Sequence, residues 1–265
     1  MSPGAPVPRL RKEKKVSQAI NLFAEDAGRF ERFQEEFRAQ TVLGDSINAI
    51  VDQHSDQLKL RDGEERELSL VIIASFFGKA QKTFQAIGRL CALGYGEDAL
   101  ILLRSNINLL INIWFILADN ELVKRAKAFR AYSLWTRVNY INTAHDGKQP
   151  EWMRSLNMTE IREDAKKWEK TKIHTRAERL PSPAYLLHYK QGYRFYSSLE
   201  HSDIKAIDSY IRDRDKPSYR ITGPSDEYIS IALAHNFFVM TDFFNIALSY
   251  FGIQRPDIGE KLTAA

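Results

Sequence analysis

Apolar positions recur along this chain at intervals of three, four and seven residues, a period that predicts helices almost throughout. Val16, Ile20, Phe23, Ala27, Phe30 and Phe37 mark one face of an amphipathic helix that begins near residue 14. Ile47, Ile50, Val51 and Leu58 predict a second helix over 43–60. Gly63 separates it from a long apolar helix over 64–93, which Gly94-Tyr95-Gly96 stops and restarts. Residues 97–118 are the most apolar stretch, yet Arg104, Asn108 and Asn112 interrupt it at a spacing of four and so share one stripe. A basic helix follows over 121–143, then a short charged one over 159–172. Pro181-Ser182-Pro183 marks a boundary before a helix over 184–200. Residues 202–224 read as an irregular excursion, after which Ser225 or Asp226 caps a last long helix to about 251. Alternation at period two nowhere extends beyond a few residues.

The pattern predicts an all-α fold, a bundle of about seven to eight helices. Residues 1–13, with three prolines, read as a disordered basic arm. Residues 14–252 read as a single helical domain whose first part, 14–60, is an N-terminal helical arm. Residues 253–265 read as a loose tail. Only 13 glycines and 9 prolines in 265 residues leave long uninterrupted segments, which favours helices over many short strands.

Charge changes this picture little. Arg9, Arg11, Lys12, Lys14 and Lys15 against Glu13 give the first fifteen residues the same +4 as the whole chain, so the remainder is balanced. The basic balance is therefore weak evidence for nucleic-acid binding. One cysteine, Cys91, cannot form an internal disulfide, and histidines and carboxylates do not repeat at metal-ligand spacing. A reducing cytoplasm and no metal or other cofactor are the expectation. A membrane span over 97–118 is disfavoured, because Arg104 at its centre would cost roughly 2.5 kcal/mol or more.

Three groups of residues carry candidate chemistry. Arg194 and His201 stand seven apart, close to two helical turns, so both leave one face, with Ser197 and Ser198 between them. An arginine to hold a phosphate and a histidine to move protons are what a metal-free ribonuclease requires. Such a pair also arises about once by chance in an arginine-rich chain with six histidines, so its helical context has to support it. Arg104 needs a partner from another helix, a carbonyl or an anionic ligand, because an unpaired buried charge is very costly. Asn108 lies one turn on. Lys127 and Arg130, on the helix with Trp135, Tyr132 and Tyr140, could track a phosphate backbone while rings stack on bases, or form a solvated face. His235-Asn236 reads as interior packing.

Two blocks carry a resemblance. One is Ala99-Leu100-Ile101-Leu102-Leu103-Arg104-Ser105, followed by an apolar helix ending at Ala118-Asp119 and a basic-aromatic helix. The other is Tyr193 to Ser202, with its Tyr-x-x-x-Ser…His arrangement. Together they resemble a family of bacterial all-helical proteins of unknown function, often found near mobile elements and phage-defence genes, over roughly 70–205. Members often carry a glutamate where this chain has Asn108. The second block is also similar to the HEPN superfamily motif, with Phe195 where a polar residue commonly follows the arginine. That likeness implies a helical, dimeric, metal-independent ribonuclease or toxin.

Two readings follow. In the first the chain is a HEPN-like ribonuclease in a defence setting, cytoplasmic and homodimeric, acting on RNA. His201 is then general base and acid, Arg194 the phosphate holder and Arg104 a second anion contact. In the second it is a non-catalytic helical interaction or sensor subunit with a defence-system protein as partner.

Overall fold

The computed structural model describes residues 24–39, 42, 44–46, 49, 68–118, 121–144, 150–180, 186–200, 211–212, 219–220 and 224–250. Among these the architecture is all-α. The helices are α1 (Ala24–Glu36), α2 (Leu68–Ala92), α3 (Gly96–Leu117), α4 (Leu122–Ala144), α5 (Glu151–Arg154), α6 (Met158–Glu169), α7 (Ile173–Ala177), α8 (Arg194–Glu200) and α9 (Ile229–Tyr250). A π-helical segment, His188–Tyr193, runs directly into α8. The 1–13 basic arm, the first part of the N-terminal helical arm up to residue 23, most of the 43–60 helix, the 145–149 loop, the Pro181–Pro183 boundary, His201 and the 253–265 tail lie outside the described residues.

The three long apolar helices form the centre. α3 packs against both α2 and α9, and α2 packs against α9. Leu100, Leu103, Ile107, Leu110, Ile111, Ile113 and Ile116 of α3 are almost fully buried, which is why its apolar residues occupy more than one face. α3 and α9 are each long and apolar enough to cross a membrane, and in the bundle 56% of each apolar window is buried. α4 packs most extensively on α6, and α8 packs on α3.

The break between α2 and α3 falls at Gly94, as its sequence signals. Gly94 has φ +82°, its N–H bonds to the Cys91 carbonyl, and the Tyr95 N–H reaches back to the Leu90 carbonyl. That pair of bonds closes a helix C-terminus and requires a residue tolerant of positive φ. The site is also crowded. A Cβ on Gly94 would lie 2.8 Å from Pro224 Cβ, and one on Gly96 would collide with the Glu227 carbonyl. The lead-in to α9 therefore docks on bare backbone.

Two boundaries differ from expectation. α9 starts at Ile229, not beside Ser225 or Asp226. The Ser225 hydroxyl instead accepts from the Glu227 N–H, and Asp226 pairs with Arg29 at 3.0 Å, tying α1 to the start of α9. Tyr228, at φ 62°, supplies the first carbonyl, which accepts from Ala232. Within the excursion over 202–224, Ile211–Arg212 and Tyr219–Arg220 pair as an antiparallel ladder. Two-residue strands are too short to leave an alternating pattern in a sequence.

Candidate functional site

α8 is short, and polar clusters lie on two of its sides. On the first, the polar stripe of α3 meets it. Arg104 donates through Nε to Ser197 Oγ at 2.7 Å and through a terminal nitrogen to the Tyr193 hydroxyl at 3.2 Å. Its other terminal nitrogen pairs with Glu200 at 2.6 Å, and the guanidinium carbon lies 4.7 Å from the Tyr193 ring centroid. The partner that Arg104 requires thus comes from another helix. Its side chain keeps 19% exposure and Glu200 36%, so the pair sits at a rim rather than in the core. Ser197 also bonds back to the Tyr193 carbonyl, and Ser198 to the Phe195 carbonyl.

The stripe continues inward. The Asn112 amide donates to Asn108 Oδ1 at 3.3 Å, and Asn112 Oδ1 accepts from Arg176 at 2.8 Å. Arg176 is buried, with its guanidinium 3.9 Å from the Trp168 ring centroid and bonded to the Trp168 carbonyl near the end of α6. Burial lowers its pKa to about 10, well above neutrality. No carboxylate faces it among the described residues. Instead the negative end of α6, an aromatic face and an amide oxygen stabilise the cation.

The remaining candidates separate. Arg194 is exposed on α8. Lys127 and Arg130 are exposed on α4, which packs on α6 rather than on α8. Arg125, from the same basic run, is buried. It donates to the Phe115 and Ala118 carbonyls, both at 2.7 Å, and so closes the C-terminal end of α3. The basic helix thus divides into one structural cap and several solvated cations.

A second cluster lies against Tyr196, and the sequence reading had not assembled it. Asp242 Oδ2 lies 3.2 Å from His188 Nε2, His188 Nδ1 lies 2.5 Å from His235 Nε2, and His235 Nδ1 lies 2.7 Å from the Tyr196 hydroxyl. The two imidazoles are within 19° of coplanar with centroids 4.8 Å apart, the geometry of an edge-to-edge N–H···N bond. Burial and the neighbouring His188 push the His235 pKa down to about 4, and burial raises that of the Tyr196 phenol. Gly192 makes the approach feasible: a Cβ there would collide with His235 Cε1 and lie 3.0 Å from Ile107 Cδ1. The π-helical turn carries this glycine, and such turns concentrate at functional sites. A pocket of about 430 Å³ opens over the cluster, walled by Leu187, Phe195, Ile231 and Phe238.

The signal for this cluster was present but diluted. His235 and Asp242 are seven apart on α9, and His188 and Tyr196 eight apart on the other strand of the contact. Asn236 is interior as expected, its amide bonded to the Phe84 carbonyl. Its neighbour His235 instead lines the pocket. Among the described residues no group of three or more His, Cys, Asp or Glu side chains is arranged to hold a metal ion.

A family model matches residues 70–218, which contain the Arg104 stripe, the basic helix and all of α8. The chain belongs to DUF5677, a family of unknown function. The match ends before α9, so His235 and Asp242 lie outside the part it covers. Neither the curated proteins nor the solved structures hold a match to the chain.

Proposed function

We propose that this DUF5677 chain is a HEPN-like, metal-independent ribonuclease working on the Arg194 side of α8 in a cytoplasmic bacterial defence setting. One observation carries the reading. Two blocks about ninety residues apart in sequence, singled out for different reasons, meet: Arg104 clamps the helix that presents Arg194. In this reading Arg194, exposed, holds the scissile phosphate and stabilises its developing charge. His201 follows Ser197 by four residues and acts as base on the 2′-hydroxyl, then as acid on the leaving oxygen. Arg104 positions α8 and becomes a second anion contact only by exchanging Glu200 for phosphate. Lys127 and Arg130 extend the basic surface available to RNA, with Asn108, Ser197 and Ser198 supporting the stripe.

The test is incubation of the purified protein with total RNA in excess chelator, beside the Arg194→Ala and His201→Ala variants. The expected product ends in a 2′,3′-cyclic phosphate, and each variant loses it. Cleavage that survives both changes moves the activity elsewhere. A homodimer is the expected assembly, because two-fold dimers are the commonest closed form. Light scattering at 30.6 kDa, the mass of one chain, refutes that assembly.

A second reading has its own support. Leu187, Ile231 and Phe238 are 49%, 51% and 65% exposed around one pocket. Apolar side chains gathered in this way mark binding surfaces more often than singly scattered ones do. On this reading the chain is a non-catalytic interaction or sensor subunit of a defence complex. RNA left intact even with partner proteins or phage infection present favours it.

A further inference from the structure

The chain Asp242–His188–His235–Tyr196 has a defined polarity. An ionised Asp242 can only accept, so His188 Nε2 carries the proton that faces it. A neutral His188 then has a bare Nδ1, which must accept from His235 Nε2–H. His235 in turn has a bare Nδ1, which accepts the Tyr196 hydroxyl proton. The three hydrogen bonds then all point toward the carboxylate, and the Tyr196 oxygen keeps its lone pairs. These are the parts of a proton wire whose collecting end is a tyrosine and whose sink is an imidazole paired with a carboxylate.

The wire ends under a pocket of a size that suits a small organic molecule. The walls are apolar and partly aromatic, with His188, Gln191, Tyr196 and His235 as the polar lining residues. Where His188 is neutral as well as His235, the wire carries the single negative charge of an ionised Asp242. A preformed anion would be repelled, whereas a neutral molecule that surrenders a proton converts Asp242 and His188 into a neutral ion pair.

We propose that this pocket binds a small, largely apolar molecule bearing one acidic hydroxyl, such as a phenol or enol, and takes up its proton through Tyr196, His235 and His188. The step balances. The ligand O–H bond breaks and its electron pair stays on the ligand oxygen. The released proton joins the Tyr196 oxygen as the tyrosine's own proton passes to His235 Nδ1. The His235 Nε2 proton passes to His188 Nδ1, leaving an imidazolium against Asp242. No oxidant, metal or second substrate is consumed. The site is independent of the ribonuclease reading, sharing α8 with it but none of its catalytic residues.

The probe is 4-nitrophenol, whose anion absorbs in the visible while the neutral phenol does not. Titrated with the full chain at about pH 6, below the probe's own ionisation, it should show saturable growth of the visible band. Ala234→Trp, an exposed pocket position, should abolish binding by filling the space. Asp242→Asn keeps an acceptor for His188 but removes the charge. It should bind the probe while lowering its ionised fraction by about tenfold or more. Tyr196→Phe should do the same. Three results overturn the proposal: no saturable binding, binding that Ala234→Trp leaves unchanged, or ionisation that persists in both wire variants. Melting curves on each variant separate loss of the site from loss of the fold.

Discussion

Helix α8 meets two polar clusters of opposite electrostatic design. Toward α3 it engages a permanent cation, Arg104, and neutralises it with Glu200 at a half-open rim. Toward α9 it places Tyr196 on a chain of two imidazoles and a carboxylate, beside a pocket with apolar walls. The first cluster cannot titrate near neutrality, because arginine does not release its proton. It can only exchange one anion for another. The second is a chain of hydrogen-bonded groups along which protons can move. One short helix thus joins a fixed ion pair to a chain of titratable groups. Which of them carries activity is an experimental question with separable answers.

The largest expected effect breaks the comparison outright. On the ribonuclease reading, Arg194→Ala and His201→Ala each lower RNA cleavage by about 10²–10⁴-fold. The double variant is no worse than the weaker single one, because both groups serve one transition state. His235→Gln, on the other side of α8, leaves cleavage within about twofold. Rates with a single RNA substrate check this. Loss of cleavage in His235→Gln with activity retained in Arg194→Ala would transfer the chemistry to the histidine wire.

The next effect sharpens the comparison through pH. The native His235 pKa, about 4, lies below its ordinary value of 6.5. As pH falls below 6.5 the unfolded chain takes up a proton that the folded chain refuses, so stability declines until about pH 4 and then levels. A shift of this size corresponds to about 3 kcal/mol. Thermal melts across that window should show the decline, and His235→Gln should flatten it. A parent melting temperature flat between pH 6.5 and 4 would mean that the wire accepts a proton in place.

The two clusters were not equally legible beforehand. Arg104 announced itself, because a charge inside the apolar run of α3 demands a partner. Its spacing with Asn108 and Asn112 fixed the face on which that partner would lie. The long helices α2, α3 and α9 were legible for a related reason: each buries a continuous face, and burial writes a period into the sequence. The histidine wire left no such trace. Its contacts join residues 47, 54 and 39 apart in sequence, and each member alone fits ordinary core packing. Arg125 belongs to a basic run in sequence, yet it faces inward to close α3, because a period cannot tell which cation on a helix meets the preceding helix end.

Smaller effects test how firmly α3 holds α8. Arg104→Leu removes two hydrogen bonds, an ion pair and a ring contact but leaves Glu200 open enough to rehydrate. The cost should be about 1–2 kcal/mol, below the 3–5 kcal/mol typical of breaking a fully buried pair. For a chain of this size that lowers the melting temperature by roughly 2–8 °C. A variant as stable as the parent would show that the rim pair contributes nothing to the fold.

The smallest effect on stability carries the finest distinction. Glu200→Gln keeps a hydrogen-bond acceptor for Arg104 and removes only the neutralising charge, so it should cost less than about 1 kcal/mol. If Arg104 serves as a phosphate contact, Glu200 competes with RNA for it. The glutamine variant should then bind RNA more tightly than the parent, with a steeper dependence on salt because one more cation is available to displace counterions. If Arg104 only fixes the position of α8, affinity and salt slope should both match the parent. Fluorescence anisotropy with a labelled RNA at several salt concentrations separates the two. An unchanged slope would assign Arg104 to architecture and leave Arg194 as the phosphate contact on that side of the helix.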